Sequence, residues 1–197
     1  MARILVSTPM LEGYVRAETD LALRNLDPCG HELVHHFVKG WGVAYARNLM
    51  ALEAMKQGCD YLFMVDSDVA VPSDALKMLV GLDICAGWYP RGTDPLRTNV
   101  AKKTQSGWGD CFSVEEMERL AESGIDWIDT KGCGMGCAII RTQVFERLPH
   151  PWFKFEDYPS GNCFGEDYWF CQQARSAGMR VYVSPKVKCG HVRSELA

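Results

Sequence analysis

The stretch Tyr61-Leu62-Phe63-Met64-Val65-Asp66-Ser67-Asp68 decides the fold. Five apolar, mostly aromatic or branched residues read as a strand covered on both faces, and they run straight into two aspartates. An unpaired carboxylate is costly to bury, so this strand ends at a solvated rim or at a cation. Residues two apart in extended chain point the same way, which lets Asp66 and Asp68 converge while Ser67 faces elsewhere. Two hard oxygens meeting at a strand's carboxyl end suit Mg²⁺ or Mn²⁺. The plainer alternative is a turn opened by Asp66 and solvated by Asp68.

Around that strand the chain alternates strands and helices. Residues 2–7 read as a first strand ended by Thr8-Pro9, residues 12–25 as a helix, and Glu32 to Val38 as a second strand. His35 and His36 alternate faces there and cannot both meet one metal. Trp41 to Lys56 is rich in helix formers and closes on Gly58, with Arg47-Asn48 near its start. An arginine so placed either faces solvent or reaches phosphates beyond the next strand. A helix capped by Ser73 and a buried strand over 82–87 follow. From Trp88 to about Gly109 regular periodicity disappears, as in functional loops.

Ser113-Val114-Glu115-Glu116 predicts a capping box, with Gly124 closing its helix. Strands are expected over 125–130 and 133–140, then a short helix capped by Thr142. Gly132, Gly134 and Gly136 do not make a dinucleotide fingerprint: Cys137 stands where its third glycine belongs, and a strand follows. Glycines in that place let a ligand or another backbone come close. The aromatic, irregular stretch 151–163 leads into a helix opened by Gly165-Glu166-Asp167, and a last strand over 180–183 is closed by Ser184-Pro185. The whole reads as one α/β sandwich, whose ligands gather at the carboxyl ends of the strands.

Composition narrows the function. The 197 residues suffice for one domain with a real core, and 47% hydrophobic with 23% charged residues is ordinary for a globular protein. A net charge of −4 disfavours nucleic acid as the main partner. No stretch has the length of a transmembrane segment, and the apolar part of residues 1–7 is too short for a secretory signal. Nine cysteines include no C-x-x-C pair, which removes zinc-ribbon spacing. Cysteines used as small hydrophobes in a reduced, cytoplasmic protein account for them.

Three further residues carry chemical interest. Glu166 and Asp167 stand in the first turn of a helix, where acids favour its dipole, but the aromatics and glycines before them look like a pocket wall. A carboxylate at such a mouth accepts a proton from a hydroxyl. His191 follows a strand, a proline turn and Cys189-Gly190, and can fold back as a third ligand to an ion at Asp68.

Taken together, these pieces resemble the GT-A fold glycosyltransferases, in particular the family 2-like group. Four stretches in order carry the resemblance: Ala46-Arg47-Asn48; Phe63 to Asp68; Gly134-Met135-Gly136-Cys137 through Val144-Phe145; and Gly165-Glu166-Asp167 through Gly178 with the closing Gly190-His191. It implies a Rossmann-like α/β/α sandwich with a mainly parallel central sheet and a single domain over 1–197. Residues 1–100 would be its nucleotide-sugar-binding half and 101–197 its acceptor and catalytic half. It implies a hexosyltransferase-like enzyme, inverting and non-processive, that moves sugar from a UDP- or GDP-linked donor to the hydroxyl of an unidentified acceptor. Asp68 would ligate Mn²⁺ or Mg²⁺ on the donor diphosphate, Asp66 would lie by the ribose and the metal's water shell, and His191 would complete the metal site. Asp167 would be the general base and Glu166 would hold the acceptor, while Thr8, Pro9 and Arg47 would sit near the nucleoside.

The chain has no Q-x-x-R-W motif, so the resemblance gives no support for a processive synthase. The loop 88–109 and the stretch 151–164 are left as acceptor surface, with Trp88, Tyr89, Trp108, Trp152 and Tyr158 as candidate sugar platforms. Two rivals remain. A nucleotidyltransferase needs a glycine- and lysine-rich loop after the first strand, which Thr8 to Gly13 do not offer. A degenerate domain would bind nucleotide or glycan without turnover.

Overall fold

Every residue of Tyr61–Val65 is buried, and the molecule is layered on both faces of that strand. The computed structural model describes residues 1–11, 13–91, 96–104, 110–157 and 163–192. In chain order the elements are β1 (Arg3–Met10), α1 (Ala17–Arg24), β2 (Glu32–Lys39), α2 (Val43–Lys56), β3 (Tyr61–Val65), β4 (Val69–Ala70) and α3 (Ala75–Leu79). Then come β5 (Ile84–Trp88), β6 (Arg97–Ala101), β7 (Cys111–Ser113), α4 (Val114–Glu122), β8 (Ile128–Thr130), β9 (Gly132–Cys133) and β10 (Cys137–Arg141). The last are α5 (Gln143–Arg147), β11 (Glu156–Asp157), β12 (Cys163–Phe164), α6 (Glu166–Ser176), β13 (Val181–Lys188) and β14 (Gly190–His191).

The central seven-stranded sheet runs β2-β1-β3-β10-β5-β13-β8. Strands β2, β1, β3, β5 and β13 share one direction, and β10 and β8 run against it. Side chains of β3 alternate between two cores. Leu62 and Met64 meet α2, α5 and α6 through Met50, Phe145 and Phe170. Phe63 and Val65 meet α1 and α3 through Leu23, Leu76 and Leu79. The result is an α/β/α sandwich. The halves 1–100 and 101–197 interleave in it, because β10 lies between β3 and β5.

Several local expectations need correction. β1 continues through Thr8-Pro9 because it pairs with β2 as far as Met10↔Lys39; it pairs with β3 only through Ser7, so beyond that a proline costs no bond on the β3 side. β13 likewise runs through Ser184-Pro185, with its register against β5 shifting between Val183 and Lys188. The helix expected after Ser73 begins at Ala75 with no side-chain cap. Thr142 does not cap α5 either; its hydroxyl donates to Cys59 O at 2.8 Å. The strand expected over 133–140 is two, β9 and β10, parted at Gly134–Gly136. The aperiodic stretch contains β6, paired with β7 and β9. The capping box forms as read: Ser113 Oγ accepts from Glu116 N at 3.1 Å and Glu116 Oε2 from Ser113 N at 2.7 Å.

Candidate active site

The carboxyl ends of β1 and β3 open onto a cleft of about 690 Å³. Pro9, Arg47, Asp66, Asp68, Glu166, Asp167 and His191, all singled out from the sequence, line it. Thr8 does not. It is buried inside β1 and stays within the sheet.

A buried cation fixes the deeper wall. The α2 helix is cut mostly from Ala, Leu and Met, yet it turns Arg47 inward, where the residue is only 3% exposed. Its Nη2 donates to both oxygens of Asp66 at 3.0 Å, and its Nη1 donates to Glu166 Oε1. Burial alone would lower the guanidinium's pKa, but Asp66 and Glu166 outweigh it and the net shift is upward. Next to it, Asn48 is equally committed. Its amide donates to Ala44 O and Phe153 O, and its carbonyl accepts from the backbone of Trp152 and Phe153. That pins the chain entering residues 154–157 against α2.

Asp66 is held on its other side by close packing. Its N–H donates to Gly136 O at 3.0 Å. A side chain at Gly136 would meet the Tyr89 hydroxyl at 2.6 Å and Asp66 Oδ2 at 2.8 Å, so these glycines admit Tyr89 and Asp66 themselves. The Tyr89 hydroxyl accepts from Gly136 N at 3.2 Å, and burial, then the nearby Asp66 charge, raise its pKa well above the phenol value. Its ring lies 5.2 Å from that of His191.

The rim is built differently. β14 pairs antiparallel with β4, His191 opposite Val69, and Val192 N–H donates to Asp68 O at 2.8 Å. This brings His191 Nε2 to 3.4 Å from Asp68 Oδ2, while Nδ1 lies 3.1 Å from Pro90 O. The His191 contact lowers the Asp68 pKa against the opposing effect of burial. Arg16 stands on the same rim beneath the ring of Tyr14.

Asp167 faces the cleft from the first turn of α6, beside Glu166. Its carboxyl is pushed up to about 6, chiefly by burial and next by Glu166, with Arg47 pulling the other way. Oδ1 accepts from Tyr168 N at 2.7 Å.

Among the described residues, no group of three His, Cys, Asp or Glu side chains is placed to hold a metal ion. Both Asp66 oxygens are committed to Arg47. Asp68 and His191 do converge, with 44% and 22% of their side-chain surfaces exposed. One carboxylate and one imidazole fit a divalent ion that takes its remaining ligands from phosphate and water, the usual manner for Mg²⁺.

Of the aromatic platforms, Trp88 and Trp152 belong to the core, their indole N–H groups bonded to Pro185 O and to Phe145 O. Tyr89 borders the cleft; Trp108 and Tyr158 lie outside the described residues. Sequence reading missed the Arg47 clamp and the part Tyr89 plays. The only local signal was an arginine among apolar helix residues.

No protein-family model matches the chain, and no curated protein does. Solved structures do. The "Crystal Structure of A197 from STIV" superposes with a TM-score of 0.64 at 22% identity, over 98% of this chain and 87% of that one. "GalNAc-T7 with UDP, GalNAc and Mn2+" gives 0.67 at 13% identity, over 98% of this chain and 44% of that one. "S. aureus TarS 1-349" gives 0.53 at 15%, over 98% and 61%. The fold is GT-A-like. The chain spans less than half of the GalNAc-T7 structure and under two thirds of the TarS structure. No helix among the described residues is long and apolar enough to cross a membrane.

Proposed function

We propose that the protein is a metal-dependent glycosyltransferase, inverting and non-processive, that moves a sugar from a UDP- or GDP-linked donor to an acceptor hydroxyl. The observation that carries this reading is one cleft presenting two unlike acid sites. An open Asp68–His191 pair stands on the rim, and a half-buried Asp167 with a pKa near 6 lines the same cleft. The resemblance in sequence order and the likeness of fold to a structure titled with UDP, GalNAc and Mn²⁺ support it.

Asp68 and His191 would hold Mn²⁺ or Mg²⁺, which when bound supplies Lewis-acid stabilisation of a departing diphosphate. Pro9, Leu11, Tyr14 and Val43 line the cleft with apolar surface suited to a nucleoside. Arg47 holds Asp66 and Glu166 in place, so Asp66 presents fixed acceptor atoms to donor hydroxyls and Glu166 to the acceptor. Asp167 takes the proton from the acceptor hydroxyl. A pKa near 6 leaves it ionised at neutral pH while keeping it more basic than an ordinary aspartate. Of the nine cysteines, Cys59, Cys85, Cys111, Cys133, Cys137, Cys171 and Cys189 are buried thiols without disulfides, which fits a reducing, cytoplasmic setting.

Calorimetry with UDP and GDP, with Mn²⁺ and then with EDTA, tests the donor site: affinity is expected only with metal, and equal affinity in both overturns the reading. Hydrolysis of a nucleotide-sugar by the wild type but not by Asp167→Asn separates an enzyme from an inert binder. Release of pyrophosphate from a nucleoside triphosphate and a sugar phosphate would instead identify a nucleotidyltransferase.

A further inference from the structure

The cleft is rich in acid and poor in uncommitted cations. Asp66, Asp68, Glu166 and Asp167 all line it. A diphosphate entering there adds further negative charge, of which a divalent ion offsets only part. Of the two arginines in the lining, Arg47 is committed to Asp66 and Glu166. Arg16 is not: among the described residues no carboxylate forms an ion pair with its guanidinium.

Arg16 is held where the chain turns between the two aspartates. It is the residue before α1, in extended conformation, and its N–H donates to Ser67 O at 2.9 Å. α1 in turn packs against β4, whose partner β14 carries His191. Arg16, Asp68 and His191 therefore share one rim, although three different elements supply them. The Asp68 carboxyl registers this, its pKa lowered first by His191 and further by the Arg16 charge. Yet Asp68 Oδ2 faces His191 Nε2, and the Arg16 guanidinium lies against the ring of Tyr14, 5.4 Å from its centroid. Attraction to a ring acts on the charge and leaves the forked N–H donors to an acceptor. Tyr14 also belongs to the apolar wall with Pro9, Leu11 and Val43. Arg16 thus borders the nucleoside wall and the Asp68–His191 pair at once.

We propose, on the glycosyl-transfer reading above, that Arg16 binds the donor's diphosphate through the phosphate oxygens left uncovered by a metal at Asp68 and His191. Its part is to bind and to offset charge. Bidentate N–H donors suit phosphate, and the cation answers the surrounding carboxylates when the nucleotide is in place.

Calorimetry on the intact chain with Mn²⁺ tests this, using UDP and GDP, with uridine and guanosine measured as competitors. In Arg16→Gln the diphosphates are expected to bind about 10–100-fold more weakly, as for loss of a hydrogen bond to a charged group. The nucleosides are expected to compete as they do with the wild type. Arg16→Lys should recover part of the loss, since it keeps the charge without the fork. Urea unfolding of both variants should match the wild type. Undiminished diphosphate affinity in Arg16→Gln overturns the proposal and leaves the glycosyltransferase reading standing. An equal loss for diphosphate and nucleoside does the same, and would make Arg16 a prop for Tyr14. A wild type that binds neither UDP nor GDP with Mn²⁺ overturns both.

Discussion

The cleft has two acid sites of opposite character. In the Arg47 clamp, a nearly fully buried guanidinium donates from Nη2 to Asp66 and from Nη1 to Glu166. At the rim, Asp68 and His191 meet at 3.4 Å, held by strands of two residues each and half open to water. The first is closed, with its charges satisfied inside the protein; the second leaves room for ligands that the protein does not supply. On the proposed reading, release of a diphosphate uses both kinds, a stiff wall that fixes geometry and a rim whose contacts are cheap to exchange.

The clamp should therefore dominate stability. Arg47→Met strips the partner from two carboxylates, one of them buried, and breaking a buried pair by removing one member costs about 3–5 kcal/mol. Urea unfolding at pH 7.5 should show that loss. A loss under about 1 kcal/mol, the size expected of exposed pairs, would erase the contrast between clamp and rim.

Asp167→Asn should move stability the other way. Its folded pKa, about 6, stands above the ordinary aspartate value of 3.8, so the native state holds this proton more tightly than the unfolded chain. The resulting stabilisation is full below the unfolded pKa and is lost as pH rises through about 6. The asparagine variant escapes that loss and should gain on the order of 1–3 kcal/mol at pH 7.5, with little difference near pH 4. Loss of a general base slows turnover by about 10²–10⁴-fold, and wild-type activity should fall as pH drops through about 6. A variant that is neither more stable at pH 7.5 nor slower would leave Asp167 without its proposed part.

Gly136→Ala sharpens the contrast from behind the clamp. The added methyl would stand 2.6 Å from the Tyr89 hydroxyl and 2.8 Å from Asp66 Oδ2, and a packed site yields at a cost of about 1–2 kcal/mol. Gly178→Ala would show whether that cost is steric, because nothing lies within 4 Å there and only its φ of +81° is strained.

That glycine also shows what sequence can and cannot reveal. Asp66, Asp68, Glu166, Asp167 and His191 were legible because each sits at a boundary that local pattern marks, a strand end, a helix start or a turn. What Gly136 packs against was not, since β10 runs backwards between β3 and β5 and brings residues far apart in sequence into contact. Arg47 looked like a surface or phosphate-facing cation because its partners lie 19 and 119 residues away. β6 was invisible for another reason. Thr98 and Asn99 are buried polar residues bonded to backbone, Thr98 Oγ1 donating to Phe112 O and Asn99 Oδ1 accepting from Tyr89 N, so the strand shows neither alternation nor an apolar run.

The smallest stability change and the sharpest functional one should coincide at the rim. Asp68→Asn removes a contact that is nearly half exposed, and exposed ion pairs contribute about 0–1 kcal/mol, so urea unfolding should barely shift. The same substitution takes away the carboxylate that meets His191 on the rim, and metal-dependent nucleotide affinity should vanish. His191→Gln should behave alike, keeping a side chain of comparable reach while losing the imidazole. If Asp68→Asn instead proved as destabilising as Arg47→Met while nucleotide binding survived, the rim would be a structural joint between β4 and β14. The open site would then have to be sought elsewhere in the cleft.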